Sequence, residues 1–126
     1  MGYEVNLILL EKHENAIKFD GDREYGSVVS TMDLCKIDNW VVTAITEAEV
    51  DEGVPVSFFL PGDGNKSITS DMYDKGMVAF PAERMLIILN GCKEKPLYRR
   101  YAMAKPLLKE FVKRFGKNAW VACYGH

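Results

Sequence analysis

Leu97, Tyr101, Ala104, Leu108, Phe111 and Phe115 recur at steps of three and four residues, and Gly116 follows them. That spacing puts them on one side of a helix, so residues 96–115 are read as an amphipathic helix whose stripe must lie on a core. Pro106 removes a backbone donor midway and predicts a kink or a split into two shorter helices. A helix of this kind needs a partner surface, and the rest of the chain must supply it.

Strand signals flank it. Over residues 3–12, Tyr3, Val5, Leu7 and Leu9 alternate with Glu4, Asn6, Ile8 and Leu10. The alternation starts clean and then turns apolar on both sides, as in a strand entering a covered part of a sheet. Ala16–Phe19, the turn Asp20-Gly21-Asp22 and Tyr25 onward read as a hairpin, continuing into a β-rich stretch to Ile37. Val56–Leu60, bounded by Pro55 and Pro61, reads as a short buried strand, and Asn118–Tyr124 as a closing one.

Two segments carry both signals. In residues 39–52, Trp40, Val41, Ala44, Ile45 and Ala48 share a helical face, with Asp38 or Asn39 as cap and Gly53 as stop; Val41-Val42-Thr43 argues for a strand. We read a helix. Residues 81–90 are read as a short helix with Pro81 at its first position and Gly91 past its end, although Leu86-Ile87-Ile88-Leu89 would also suit a strand. The sum is a single α+β domain over residues 1–126: a mostly antiparallel sheet of about four or five strands with two or three helices on one face.

At 126 residues, 48% hydrophobic and 27% charged, the chain has the composition of an ordinary globular domain and not of a disordered one. Its longest apolar runs, Leu7–Leu10 and Met85–Leu89, fall far short of the roughly 20 residues that cross a bilayer. No membrane partner is expected, and the absence of a basic, apolar leader predicts a cytoplasmic protein. Cys35, Cys92 and Cys123 are widely spaced without flanking histidines, and are read as reduced, buried thiols.

The charge is divided unevenly. Nine of the sixteen basic residues lie between Lys93 and Lys117, a stretch with only Glu94 and Glu110 as acids. The first ninety-two residues hold the other seven basic residues against sixteen acidic ones. On the helical wheel Lys105, Lys109 and Lys113 form an i, i+4, i+8 row beside the apolar stripe, and with Arg99 they are the candidate partner-binding residues. Like charges so placed cost roughly 0.2–0.5 kcal/mol per neighbouring pair, a cost that an acidic surface would reverse. Candidate surfaces are the chain's own Glu47, Glu49, Asp51 and Glu52, a second protein or dimer mate, and nucleic-acid phosphate. The acidic remainder of the chain disfavours nucleic acid.

Catalytic and ligand motifs are thin. Gly62-Asp63-Gly64-Asn65-Lys66-Ser67 has the glycines and the Lys-Ser ending of a phosphate loop, making Asp63, Asn65, Lys66 and Ser67 the candidate ligand loop of a small enzyme or nucleotide-binding protein. Asn65 stands where the second glycine of that motif belongs, so turns are the plainer reading. Asp20, Asp22 and Glu24 begin like a calcium loop, but Tyr25 and Thr31 occupy its glycine and glutamate positions. No metal or cofactor is implied. With only His13 and the terminal His126 as histidines, a nucleophile–histidine pair is poorly supported.

Ser30-Thr31-Met32-Asp33-Leu34-Cys35-Lys36-Ile37, Leu60-Pro61-Gly62-Asp63-Gly64-Asn65 and Asp71-Met72-Tyr73-Asp74 together resemble small uncharacterised proteins encoded in phages and prophages of bacteria. The resemblance implies a small accessory protein acting on a host factor.

Overall fold

The computed structural model describes residues 4–13, 23–60, 66–91 and 99–126. The elements run β1 (Glu4–Lys12), β2 (Glu24–Lys36), α1 (Asn39–Glu52), β3 (Val54–Ser57), β4 (Val78–Pro81), α2 (Ala82–Asn90), α3 (Arg99–Phe115) and β5 (Ala119–Gly125). β1 pairs antiparallel with β2 on one side and with β5 on the other. β5 pairs antiparallel with β4, and β4 with β3. The parallel contacts Glu24↔Val56 and Tyr25↔Ser57 join β3 back to β2 and close the sheet into a barrel. The fold is α+β with a mostly antiparallel sheet of five strands. The closure is a feature that the strand pattern did not announce.

The two-sided apolar character of β1 has a direct structural cause. Val5, Leu7 and Leu9 look outward into a core shared with Val121 and Cys123 of β5 and with all three helices. Ile8 and Leu10 look into the barrel, with Val56, Phe58, Met77, Ala79 and Ala122. Ala79 and Ala122 are direct partners across β4 and β5, and their small side chains leave room in that cluster for Phe58 and Met77. Period-two alternation thus serves two cores, and β1 is the wall between them.

The helices form one layer on the outer face. α1 buries Val41, Ile45 and Ala48, while Trp40, read as a core position, is 41% exposed and leans over the end of α2 near Gly91. Asp38 is the N-cap of α1 without a side-chain capping bond, and Gly53 takes its C-cap, leading directly into β3. A Cβ on Gly53 would meet the Glu49 carbonyl oxygen and Val78 Cγ1, so the tight helix-to-strand passage needs glycine for space. Residues 82–90 are helical, but Pro81 ends β4 and caps α2 instead of opening it. β4 itself lies in a stretch that the sequence reading left unassigned.

α3 buries Tyr101, Ala104, Leu108 and Phe111, as its stripe requires. It runs through Pro106 as one helix, so of the kink or split expected there the split does not occur. The carbonyl that Pro106 leaves without a helical donor belongs to Ala102, which is exposed and so open to water. Gly116, at φ +54, ends the helix as read, and β5 follows. Leu97, the Ala16–Phe19 arm and its Asp20-Gly21-Asp22 turn lie outside the described residues. No helix of the described residues is long and apolar enough to cross a membrane.

The barrel's closing seam is short, and a side chain reinforces it. Arg23, just before β2, donates from Nη1 to the carbonyls of Val56 (3.1 Å) and Met77 (2.7 Å). Gly76 makes room for it, since a Cβ there would stand 2.8 Å from Arg23 Nη2. Hydrogen bonds from a charged donor contribute about 1.5–3 kcal/mol. Replacing Arg23 with Met should therefore lower stability by about 2–3 kcal/mol, read as a fall in the urea midpoint at an unchanged slope.

Candidate functional site

The lysine row winds out of the core. Each i+4 step along a helix overshoots a full turn by about 40°, so the row that begins at Tyr101 turns progressively outward. Tyr101 is buried, Lys105 is partly buried, and Lys109 and Lys113 are exposed. Ala102 and Pro106, both exposed, fall beside Lys109 and Lys113 on the same face. Arg99 opens α3, and its side chain lies outside the described residues. Among the described residues, none of Lys105, Lys109 and Lys113 makes an ion pair.

The chain's own acidic stretch does not serve them, which corrects one expected partner. Asp51 and Glu52 bind Arg84 of α2 at 3.3 and 3.0 Å. Glu49 binds Lys75 through both oxygens, at 2.7 and 3.0 Å. On α3, Arg114 pairs with Glu110 four residues back, which holds the Glu110 carboxyl below its ordinary range. Glu49, Asp51 and Glu52 are thus engaged by α2 and the 71–75 turn, while exposed Glu47 makes no ion pair among the described residues, and neither does the α3 row.

The candidate ligand loop is only partly described. Asp63 and Asn65 lie outside the described residues; Lys66 is exposed and Ser67 partly buried. Ile68, next in sequence, forms a bridge with Phe58 and packs on the barrel-interior cluster. The helices pack on the opposite face of the sheet, so the fold does not merge this loop with the lysine row into one site.

A third location emerges at the end of β2, which the sequence reading did not single out. The β1–β2 register slips between Val5 and Asn6: Val5 faces Cys35, Asn6 faces Asp33, and Leu34 is the extra residue of a β-bulge. Cys35 there takes a left-handed backbone at φ +55 and is partly exposed, not buried as expected. Asp33 supports the turn by accepting the Cys35 N–H on Oδ1 at 2.7 Å. Arg100 of α3 donates to the Asp33 carbonyl at 3.2 Å, and the Tyr101 hydroxyl accepts the Asp38 N–H at 3.2 Å. Leu34, Cys35, Asp38, Arg100 and Tyr101, with Glu4 and Lys36, line a cleft of about 510 Å³ between the bulge and the first turns of α1 and α3. A left-handed non-glycine residue beside a bulge is a signal only backbone geometry can give.

His126 is also better held than a terminal residue was expected to be. Its N–H donates to the Glu4 carbonyl at 2.9 Å, and its own carbonyl accepts the Tyr73 hydroxyl at 2.9 Å. Its Nε2 lies 3.9 Å from Asp33 Oδ1, an electrostatic contact too long for a hydrogen bond. His13 Nε2 lies 2.9 Å from Ser27 Oγ and 3.8 Å from Glu11 Oε1. Both neighbours meet the same ring nitrogen, whereas a catalytic relay orients its base through the other one. The His13–Ser27 pair is therefore a surface contact, stacked beside Tyr25.

On the other side of the β2–α1 junction lies a cavity of about 260 Å³ floored by Val5 and Cys123 and walled by Ile37, Val42 and Ile45. Lys75 stands at its edge with Glu49, whose side chain is only 7% exposed. Burial pushes the Glu49 carboxyl above its usual value despite the Lys75 ammonium. Burial likewise pushes the Cys123 thiol up to about 12, so this buried cysteine is inert. Asp71 is structural: its carboxylate accepts the N–H groups of Tyr73, Lys75 and Gly125 and ties the 71–75 turn to β5. Among the described residues no group of three or more His, Cys, Asp or Glu side chains is placed to hold a metal. Glu24 pairs with Lys12, Asp20 and Asp22 lie outside the described residues, and so does Cys92.

Two measurements follow. A carboxyl raised in the folded state favours its protonated form there, so Glu49's stabilising contribution is complete below about pH 4.5 and is lost as pH rises through its folded value. The melting temperature of Glu49→Gln, relative to wild type, should therefore climb between about pH 4 and pH 8; a decline would mean that Lys75 outweighs burial. At the bulge, a left-handed conformation costs a non-glycine residue about 1–2 kcal/mol, partly offset by glycine's greater unfolded-state freedom. Cys35→Gly should then raise stability by about 0.5–1 kcal/mol in urea titration.

Compared with protein-family models, curated proteins and solved structures, the chain matches none.

Proposed function

We propose that this chain is a small accessory protein that binds an acidic surface of another protein through the Lys105, Lys109 and Lys113 edge of α3. The observation that carries the reading is the contrast in ion pairing across the helical layer. Arg84, Lys75 and Arg114 each form a close ion pair, whereas Lys105, Lys109 and Lys113 form none among the described residues, Lys113 only feeling Glu110 at longer range. An uncompensated row raises local potential and favours a carboxylate-bearing partner, most strongly at low salt.

The dimensions fit a modest protein contact. Two i+4 steps cover about 12 Å of helix, and the exposed Ala102 and Pro106 supply flat apolar surface beside the charges. The net charge of −2 opposes a general grip on duplex phosphate. A second copy of the chain is a poorer partner than a foreign protein, because three of the four acids of its α1 stretch, Glu49, Asp51 and Glu52, are engaged by Lys75 and Arg84, leaving Glu47 alone there. This matches the accessory role, directed at a host factor, that the phage-like segments imply.

The test is binding of a fluorescent acidic peptide, followed by anisotropy at rising salt, to wild type and to the triple variant K105E/K109E/K113E. The wild type should bind with an affinity that falls with salt, and the variant about tenfold or more weakly, a loss of about 1.4 kcal/mol. The variant's melting temperature should stay near that of wild type or fall slightly, since no close ion pair is broken but the last turn of α3 loses the cation beside Glu110. Equal binding by the variant would overturn the reading. So would tighter binding of a DNA duplex at the same salt, or a dimer that dissociates only in the variant.

A further inference from the structure

We propose that the cleft between the β2 bulge and the first turns of α1 and α3 binds a small zwitterion of the amino-acid type, its ammonium beside Asp38 and its carboxylate on Arg100 and Lys36. The cleft takes the first turn of α3, one turn before Lys105, and the proposal does not depend on the protein contact described above. A volume of about 510 Å³ is in the range of small-molecule sites, and the lining carries both signs of charge.

Asp38 supplies the anionic pole. It stands at the N-cap of α1, yet its side chain makes no capping bond, and its Oδ2 is shut off from water without a hydrogen-bond partner. Such a carboxylate is under-solvated, so a cation brought into the cleft beside it gains more than it would at an exposed aspartate. The backbone around it is fixed, because the Asp38 N–H is held by the Tyr101 hydroxyl. Glu4, on the same lining, adds to the negative side.

Arg100 supplies the cationic pole. Its guanidinium gives one hydrogen bond to the Asp33 carbonyl, and no other bond of its fork is made among the described residues. Its remaining donors suit a carboxylate, and that single bond tethers the group at the cleft wall. Lys36 lines the same space and makes no ion pair among the described residues. A ligand of one sign fits poorly: a phosphate would meet Glu4 and Asp38, and a polyamine would meet Lys36 and Arg100. A molecule with both charges, a few ångströms apart, satisfies the two poles together.

The bulge gives the site its shape and a built-in reporter. Cys35, in its left-handed conformation at the bulge, is partly exposed and lines the cleft. An occupant should therefore shield that thiol from alkylation, while buried Cys123 stays unreactive in the folded protein.

The experiment screens the free amino acids and short unblocked dipeptides at millimolar concentration, reading both melting temperature and the rate of Cys35 alkylation by iodoacetamide. At least one zwitterion should raise the melting temperature and slow alkylation several-fold. Its amide and its N-acetyl form, each missing one charge, should bind about tenfold or more weakly. Asp38→Asn and Arg100→Gln should each weaken binding to a similar degree, and unliganded Asp38→Asn should melt as wild type because no cap bond is lost. The proposal fails if no zwitterion shields Cys35, or if the blocked analogues, inorganic phosphate or spermidine bind as well. It also fails if Asp38→Asn binds like wild type.

Discussion

The burial of β1 on both faces is the constraint on which the rest of the molecule depends. One face closes the helical core and the other fills the barrel, so neither core is complete without this strand. Its two neighbours, β2 and β5, inherit their positions from it. β5 then carries β4, and β4 carries β3. The bulges in the β1–β2 ladder, at Val5/Asn6 and Leu9/Leu10, bend the long β2 around this axis. The first of them produces the cleft, so the same distortion that curves the sheet also makes the most polar recess described here.

The helical layer separates its charges by purpose. α1 and α2 run antiparallel, tied at one end by Arg84 to Asp51 and Glu52, with Trp40 over Gly91 at the other. That arrangement engages Asp51 and Glu52, two of the acids that composition alone left open to the basic segment. α3 is held by its apolar stripe instead, through Tyr101, Ala104, Leu108 and Phe111. A helix anchored by apolar contacts can keep its cations for an external partner without losing its place in the fold.

Much of this was legible in the sequence because it rests on periodicity. The stripe of α3, the two-sided character of β1 and the three buried positions of α1 are local patterns that tertiary packing reinforces. What was missed depends on relations the pattern does not encode. β4 is only four residues long, and its partner β5 lies some forty residues away. Barrel closure rests on a parallel contact between β2 and β3, with Arg23 reaching carbonyls on two separate segments. The cleft was hidden for the same reason: Cys35 looks like any small apolar residue in a strand, and only its backbone angle and the convergence of Asp38 with Arg100 mark it out. Pro106 misled in the other direction, since the sequence shows the lost donor but not that water can reach the orphaned carbonyl.

Closing a sheet removes the open strand edges that recruit other chains into aggregates. Here that protection is only as durable as the contact between β2 and β3, two residue pairs long. The seam is the natural place for the barrel to breathe: local opening there needs few bonds to break, whereas opening beside β1 would disturb both cores. Amide exchange in the native protein would then be fastest along β3 and the first residues of β2, and each such opening would briefly bare two strand edges. The molecule's susceptibility to self-association through backbone pairing is thus governed by the lifetime of one short parallel junction rather than by its overall stability.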